Sequence, residues 1–160
     1  MSQKREGLLK NDWEQTQIKV FSRWTAKQLQ QRQMPFESVL TDFKDGVKLI
    51  NLLEIVGKEP MPGKWKAEPK NDYAKLENIT LAIKYITEVK KVRLVGIGSQ
   101  NILESDLNEN NRKLTLGLIW SVINKFQIED ISVEEATARD ALLIWCRKNT
   151  KEYSDVDITN

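Results

Sequence analysis

Lys113-Leu114-Thr115-Leu116-Gly117-Leu118-Ile119-Trp120-Ser121-Val122-Ile123-Asn124-Lys125-Phe126 is the stretch whose reading decides the fold. Apolar side chains at 114, 118, 119, 122, 123 and 126 recur at helical spacing, and Leu116 with Trp120 adds a second apolar edge. Such a helix leaves water only a narrow polar strip, so it belongs inside a bundle, with Leu114, Leu118, Ile119 and Val122 in the core. It is too short and too interrupted to cross a bilayer.

The surrounding segments supply the helices such a rod needs. Residues 1–10 read as a mobile basic tail. Asn11 or Asp12 is placed to cap a long helix carrying Trp13, Val20, Phe21, Trp24 and Leu29, which Pro35 prevents from continuing. After a short connection over Phe36–Leu40, Asp42 is a candidate cap for a helix with Val47, Leu49, Ile50, Leu52, Leu53 and Val56, stopped at Gly57. Lys58–Lys70 holds three prolines and four lysines and reads as a surface loop anchored by Trp65. Asp72–Lys90 predicts a third helix with Leu76, Ile79, Ile83 and Ile86 inward and Ala82 and Val89 beside them. Val92–Ile97 reads as an extended connector, because no second strand is available to pair with it. Ser99 is placed to cap a short helix through Glu104, and Asn108 or Asn110 precedes the central helix.

Beyond that helix, Ile128–Ile131 is a brief connector. Ser132-Val133-Glu134-Glu135 then matches a capping box, opening a helix that buries Ala138, Leu142 and Trp145.

Composition excludes several classes of function. With 25 basic and 23 acidic residues the chain is nearly neutral, which argues against bulk electrostatic binding of nucleic acid. It has no histidine, so the commonest general base and metal ligand are missing. Its one cysteine, Cys146, forms no intrachain disulfide and reads as a small core residue rather than a nucleophile. Gly96-x-Gly98 is a turn rather than a dinucleotide fingerprint, and Asp155-x-Asp157 lacks the glycine and distal glutamate of a calcium loop. The expectation is a protein that is not an enzyme and carries no cofactor or metal. No apolar run follows the basic start, so a cytosolic setting is expected.

Charge distribution says more than net charge. From Ile18 to Arg32 there are four basic residues and no acidic one. Lys19, Arg23 and Lys27, each four apart, share one stripe of the helix, where their mutual repulsion is mildly unfavourable. A solvated face is the ordinary explanation; a surface that meets an acidic partner is the sharper one.

Five blocks in order carry a family resemblance: Trp13 to Leu29; Asp42-Phe43-Lys44-Asp45-Gly46-Val47-Lys48-Leu49-Ile50 with Leu52-Leu53-Glu54; Glu77-Asn78-Ile79; Val92-Arg93-Leu94-Val95-Gly96-Ile97-Gly98; and Lys113 to Trp120. Together they resemble a calponin-homology domain, the first of the tandem actin-binding pair of α-actinin, spectrin, filamin and cortexillin. Residues 128–135 and 142–148 resemble the short linker and opening helix of the second domain, which favours the α-actinin type over the longer-linked filamins. Thr25, where the family often has cysteine, and a long lysine-rich loop are departures.

The resemblance implies an all-α helical bundle, about four main helices around a buried central one plus short helices. It implies a tail at 1–10, a first domain over 11–128, a linker at 129–134 and the start of a second domain over 135–160, cut off after its first helix, as in a piece of a larger protein. It also implies an F-actin-binding module of a cytoplasmic, cortical cross-linker, dimeric through regions outside this chain. The alternatives are a filamin-like or cortexillin-like cross-linker, or a scaffold for other proteins. Three actin-facing surfaces are implied: Gln17, Lys19, Arg23 and Lys27; Arg112, Lys113, Leu116 and Trp120; and Arg139, Arg147 and Lys148. An anionic phosphoinositide is a further partner, met by the loop lysines with Arg147, Lys148 and Lys151; nucleic acid is not expected. The last helix, with Leu142, Leu143 and Trp145 each worth about 1.5–3 kcal/mol if buried, is expected to dock on the first domain, pair with another copy or fray.

Overall fold

The computed structural model describes residues 2–128 together with 145 and 146. It contains helices α1 (Ser2–Leu29), α2 (Val47–Gly57), α3 (Asp72–Lys84), α4 (Ser99–Leu103) and α5 (Glu109–Ile123), and no strand among the described residues. The all-α bundle expected from the sequence is the one observed. α1 ends in a single 3-10 turn over Gln30–Arg32, while α3 and α5 each run on into one π turn, Tyr85–Val89 and Asn124–Ile128.

α5 is the rod around which the others pack. Leu118, Ile119, Val122 and Ile123 are fully buried, each contributing about 1.5–3 kcal/mol of apolar burial. α1 packs on α5 and α2, α3 on α2 and α4, and α4 on α5. The core they enclose includes Val20, Phe21, Leu49, Leu52, Leu53, Ile79 and Ile86. Asn108 caps α5 by accepting from the Asn111 N–H at 2.8 Å, and Asn71 caps α3 through the Ala74 N–H at 2.8 Å.

Buried amides tie the loops to this core. Asn78, fully buried on α3, accepts from the Lys66 N–H at 2.9 Å and donates to the carbonyls of Lys66 (2.8 Å) and Asp45 (3.1 Å). The lysine-rich loop and the entry to α2 are thereby fixed on one side chain. Asn111 performs the same service between α4 and α5, accepting from Asn101 at 2.9 Å and donating to the Glu104 carbonyl at 2.9 Å.

Several expectations are corrected. α1 begins at Ser2 rather than at Asn11 or Asp12, because Gln3, Lys4, Arg5, Leu8, Leu9 and Lys10 are good helix formers and a lone Gly7 costs only about 1 kcal/mol. Asp42 does not cap α2; it accepts from the Glu37 N–H at 2.7 Å within the preceding run of turns. α2 starts instead behind Gly46, whose φ of +80° and contact with α3 admit no side chain: a Cβ there would lie 2.6 Å from that of Asn78. The buried face of α3 is Ala74, Asn78, Ile79 and Ala82, leading into Tyr85 and Ile86, so Leu76 and Ile83 are only half-buried and Val89 is exposed. Leu114 is likewise half-buried, since Asn111, Thr115 and Leu118 occupy the innermost line of α5.

Gly57 ends α2 as expected, but its structural reason is proximity. A Cβ there would strike the hydroxyl of buried Tyr85, which donates to Glu59 Oε1 at 2.7 Å, while Lys58 takes the left-handed conformation, with φ of 56°. Gly57→Ala should therefore destabilise the fold by about 1–2 kcal/mol despite alanine's better helix propensity. A lower urea midpoint with an unchanged m-value checks this.

Candidate functional site

α1 is two-sided. Val20, Phe21 and Trp24 are buried, whereas Lys19 and Lys27 are exposed and Arg23 is half-exposed. The stripe inferred from the spacing is therefore a solvent-facing cationic ridge. Arg32, fourth in the basic run, leaves it and turns onto α2, donating to Asn51 Oδ1 at 2.5 Å and pairing with Glu54 at 2.8 Å. A ridge of this kind concentrates a field that decays over a Debye length of about 8 Å at physiological salt, enough to steer and orient an acidic surface.

Gln17 departs from the ridge. It lines a groove between α1 and α5 together with Trp13, Glu14, Lys113, Leu116, Gly117 and Trp120. Two of the implied surfaces thus meet in one place. Arg112 Nε pairs with Glu14 Oε1 at 3.1 Å and pins α1 to α5, so its guanidinium holds the wall of the groove. Lys113 is exposed and pairs with Glu109 one turn earlier at 3.1 Å. Leu116 is 4% exposed and forms groove wall and core rather than an open contact, which corrects its expected accessibility. Trp120 is half-buried. A Cβ added at Gly117 would meet nothing within 4 Å, so the groove floor is open there.

Beside the ridge a second depression is lined by Arg23, Ala26, Lys27, Gln30, Gln33, Met34, Pro35 and Phe36. Sequence reasoning missed its apolar lip, Met34 to Phe36, although the residues follow the ridge directly. The Arg112–Glu14 pair had no sequence signal, its partners lying 98 residues apart.

Arg139, Arg147 and Lys148 lie outside the described residues, as do the linker at 129–134 and the capping box. Trp145 and Cys146 are described. The Trp145 ring centroid lies 6.0 Å from that of Phe21 and 6.2 Å from that of Trp24, so Trp145 packs on the inner side of α1. Of the three fates expected for this helix, docking on the first domain is the one observed at that residue. Burial pushes the Cys146 thiol up to about 12, leaving almost no thiolate at neutral pH.

Two carboxylates are perturbed by surface ion pairs. The Lys44 ammonium beside Asp106 holds its carboxyl below the usual range, and Lys90, then the Tyr85 hydroxyl, does the same for Glu59. Tyr85 itself is pushed upward by burial, then by its hydrogen bond to Glu59. None lies in the α1–α5 groove. Among the described residues no group of histidine, cysteine and carboxylate side chains is arranged to hold a metal ion.

Comparison with known proteins places these features in a family. The model of the calponin homology (CH) domain matches residues 15–128. The chain is 40% identical over 153 residues to "Alpha-actinin A" of Dictyostelium discoideum, covering 96% of this chain and 17% of that protein. It is 40% identical over 156 residues to "Alpha-actinin" of Dermatophagoides farinae, covering 98% and 17%, and 38% identical over 156 residues to "Alpha-actinin, sarcomeric" of Drosophila melanogaster, covering 98% and 16%. The chain thus spans about one-sixth of the length of these relatives.

Proposed function

The chain belongs to the calponin homology family, and from that premise we propose that it is an F-actin-binding module from a cross-linking protein of the α-actinin type. In this reading residues 11–128 are the first domain of a tandem pair, 129–134 the linker and 135–160 the opening of the second. Dimerisation belongs to other parts of the protein, which acts at the cortical cytoskeleton.

The observation that carries the proposal is the orientation of α1. Its apolar face is committed to the core while Lys19 and Lys27 are exposed and Arg23 is half-exposed, at the mild cost of placing like charges one turn apart. Such a ridge suits an acidic polymer by long-range steering and rim contacts. The neighbouring groove supplies what charge alone lacks: the Trp13 and Trp120 indoles offer apolar area, with Gln17 and Lys113 at its edge. Aromatic anchors inside a polar rim are the usual source of affinity at a protein interface.

Co-sedimentation with actin filaments across a salt series tests the proposal. Pelleting that is strongest at low ionic strength and declines as salt rises is the expected result. No pelleting at any ionic strength would remove the functional reading.

A further inference from the structure

Three helix ends converge on one side chain. Lys90 follows the π turn that closes α3, and its ammonium pairs with Glu59 Oε1, two residues past α2, at 2.9 Å. The same ammonium lies 5.7 Å from the ring centroid of Tyr85, in the π turn of α3. It lies 5.9 Å from that of Phe126, in the π turn that closes α5. We infer that Lys90 is a latch on the exit of α5. It holds Phe126, and with it residues 124–128, against the ends of α2 and α3, and so sets the direction in which the chain leaves the bundle. What that direction serves rests on the reading of 129–134 as a linker; the latch itself does not.

The terminal turn of α5 needs such a hold. Ile123 is fully buried, yet Asn124 and Gln127 are exposed and Phe126 is half-buried. Among the described side chains of residues 124–127, Phe126 is the one apolar group able to fix the turn to the bundle. π turns are rare and are found disproportionately at functional positions, and here two of them meet on one ammonium.

A cation does at this point what an apolar side chain could not. The Lys90 side chain is 25% exposed, so its ammonium is largely out of water, where attraction to a ring face exceeds that at an open surface. Glu59 offsets the desolvation and is itself anchored by the Tyr85 hydroxyl, which donates to Oε1 at 2.7 Å. Tyr85 is 1% exposed and abuts Gly57 at the end of α2. The Lys90 N–H donates to the Tyr85 carbonyl at 3.0 Å, which fixes the backbone and leaves the side chain as the movable part. Contacts therefore run from Gly57 to Tyr85, to Glu59, to Lys90 and on to Phe126. A leucine or methionine could pack on the two rings, but it would break the link to Glu59 and uncouple α2 from the exit of α5.

Native-state hydrogen exchange of the whole chain, read at the amides of residues 124–128, tests the latch without actin, so a failure to bind filaments leaves this result untouched. Lys90→Met keeps the stem and removes the charge. It should quicken exchange of the turn about tenfold. The quickened exchange should be indifferent to low urea concentrations, the mark of a local opening that exposes little surface, whereas exchange at Val20 and Leu52 in the core rises with urea. Lys90→Arg, which keeps a cation that stacks on rings, should leave exchange slow. Glu59→Gln retains an acceptor for the Tyr85 hydroxyl but loses the ion pair, and should quicken the turn about threefold. In the Lys90→Met chain the same substitution should add nothing, because its influence passes through the ammonium. Exchange unaltered by Lys90→Met overturns the inference. So does quickened exchange that follows urea as steeply as the core does, since the turn would then open only with the whole bundle. A Glu59→Gln effect that persists without Lys90 overturns it as well, because the coupling would run by another route.

Discussion

Replacing Lys19, Arg23 and Lys27 together by glutamate should weaken filament binding by about 100-fold or more at low ionic strength. A rim charge facing an opposite charge contributes about 0.5–1 kcal/mol, and reversal turns attraction into repulsion, so three reversals amount to about 3 kcal/mol or more. The side chains concerned face solvent or are half-exposed, so folding should be little affected. Only Lys27 lies in the last turn of α1, where a carboxylate opposes the helix dipole by about 0.3–1 kcal/mol. Co-sedimentation of the triple variant, with urea unfolding alongside, separates the effects. A stability loss of under about 1 kcal/mol with abolished pelleting is expected. Undiminished pelleting would mean that the ridge is an ordinary solvated face.

Asn78→Ala should have the largest effect on stability of any single polar substitution among the described residues, about 3–5 kcal/mol. Asn78 is 1% exposed and satisfies three backbone groups, the Lys66 N–H and the carbonyls of Lys66 and Asp45. Removing the carboxamide strands these groups beside the buried face of α3, at about 1–3 kcal/mol each when water cannot replace it. Net protein stability is commonly about 5–15 kcal/mol, so such a loss brings the domain close to unfolding at room temperature. The check is the urea midpoint, read with the m-value. A shift equivalent to less than about 1 kcal/mol would show that water enters and takes over the amide's bonds.

The bundle was legible because its deciding signals are local. The apolar run of α5 announces burial by its own periodicity, and Leu118, Ile119 and Val122 are indeed fully buried. The ridge was legible for the same reason, since residues four apart on one helix must share a face. What the sequence could not convey depends on contacts distant along the chain. Leu116 has the apolar character of an exposed contact or of core, and only the approach of α1 decides that it is 4% exposed. Gln17 sits in the same helix as the ridge, yet the groove with α5 claims it. Asp42 had the chemistry of a helix cap and a nearer donor took it, the Glu37 N–H. The face of α3 was misjudged because Asn78, a polar residue, is central to it, and apolar periodicity does not register a buried amide.

Hydroxyl-radical footprinting of the chain with and without actin filaments tests the central claim most directly, because it reads the groove itself. The account predicts that Trp13 and Trp120 lose reactivity together on the filament, while half-buried Trp65 in the lysine-rich loop reacts as before. Equal oxidation of Trp13 and Trp120 in the free and filament-bound states, with the chain demonstrably pelleted, would contradict it.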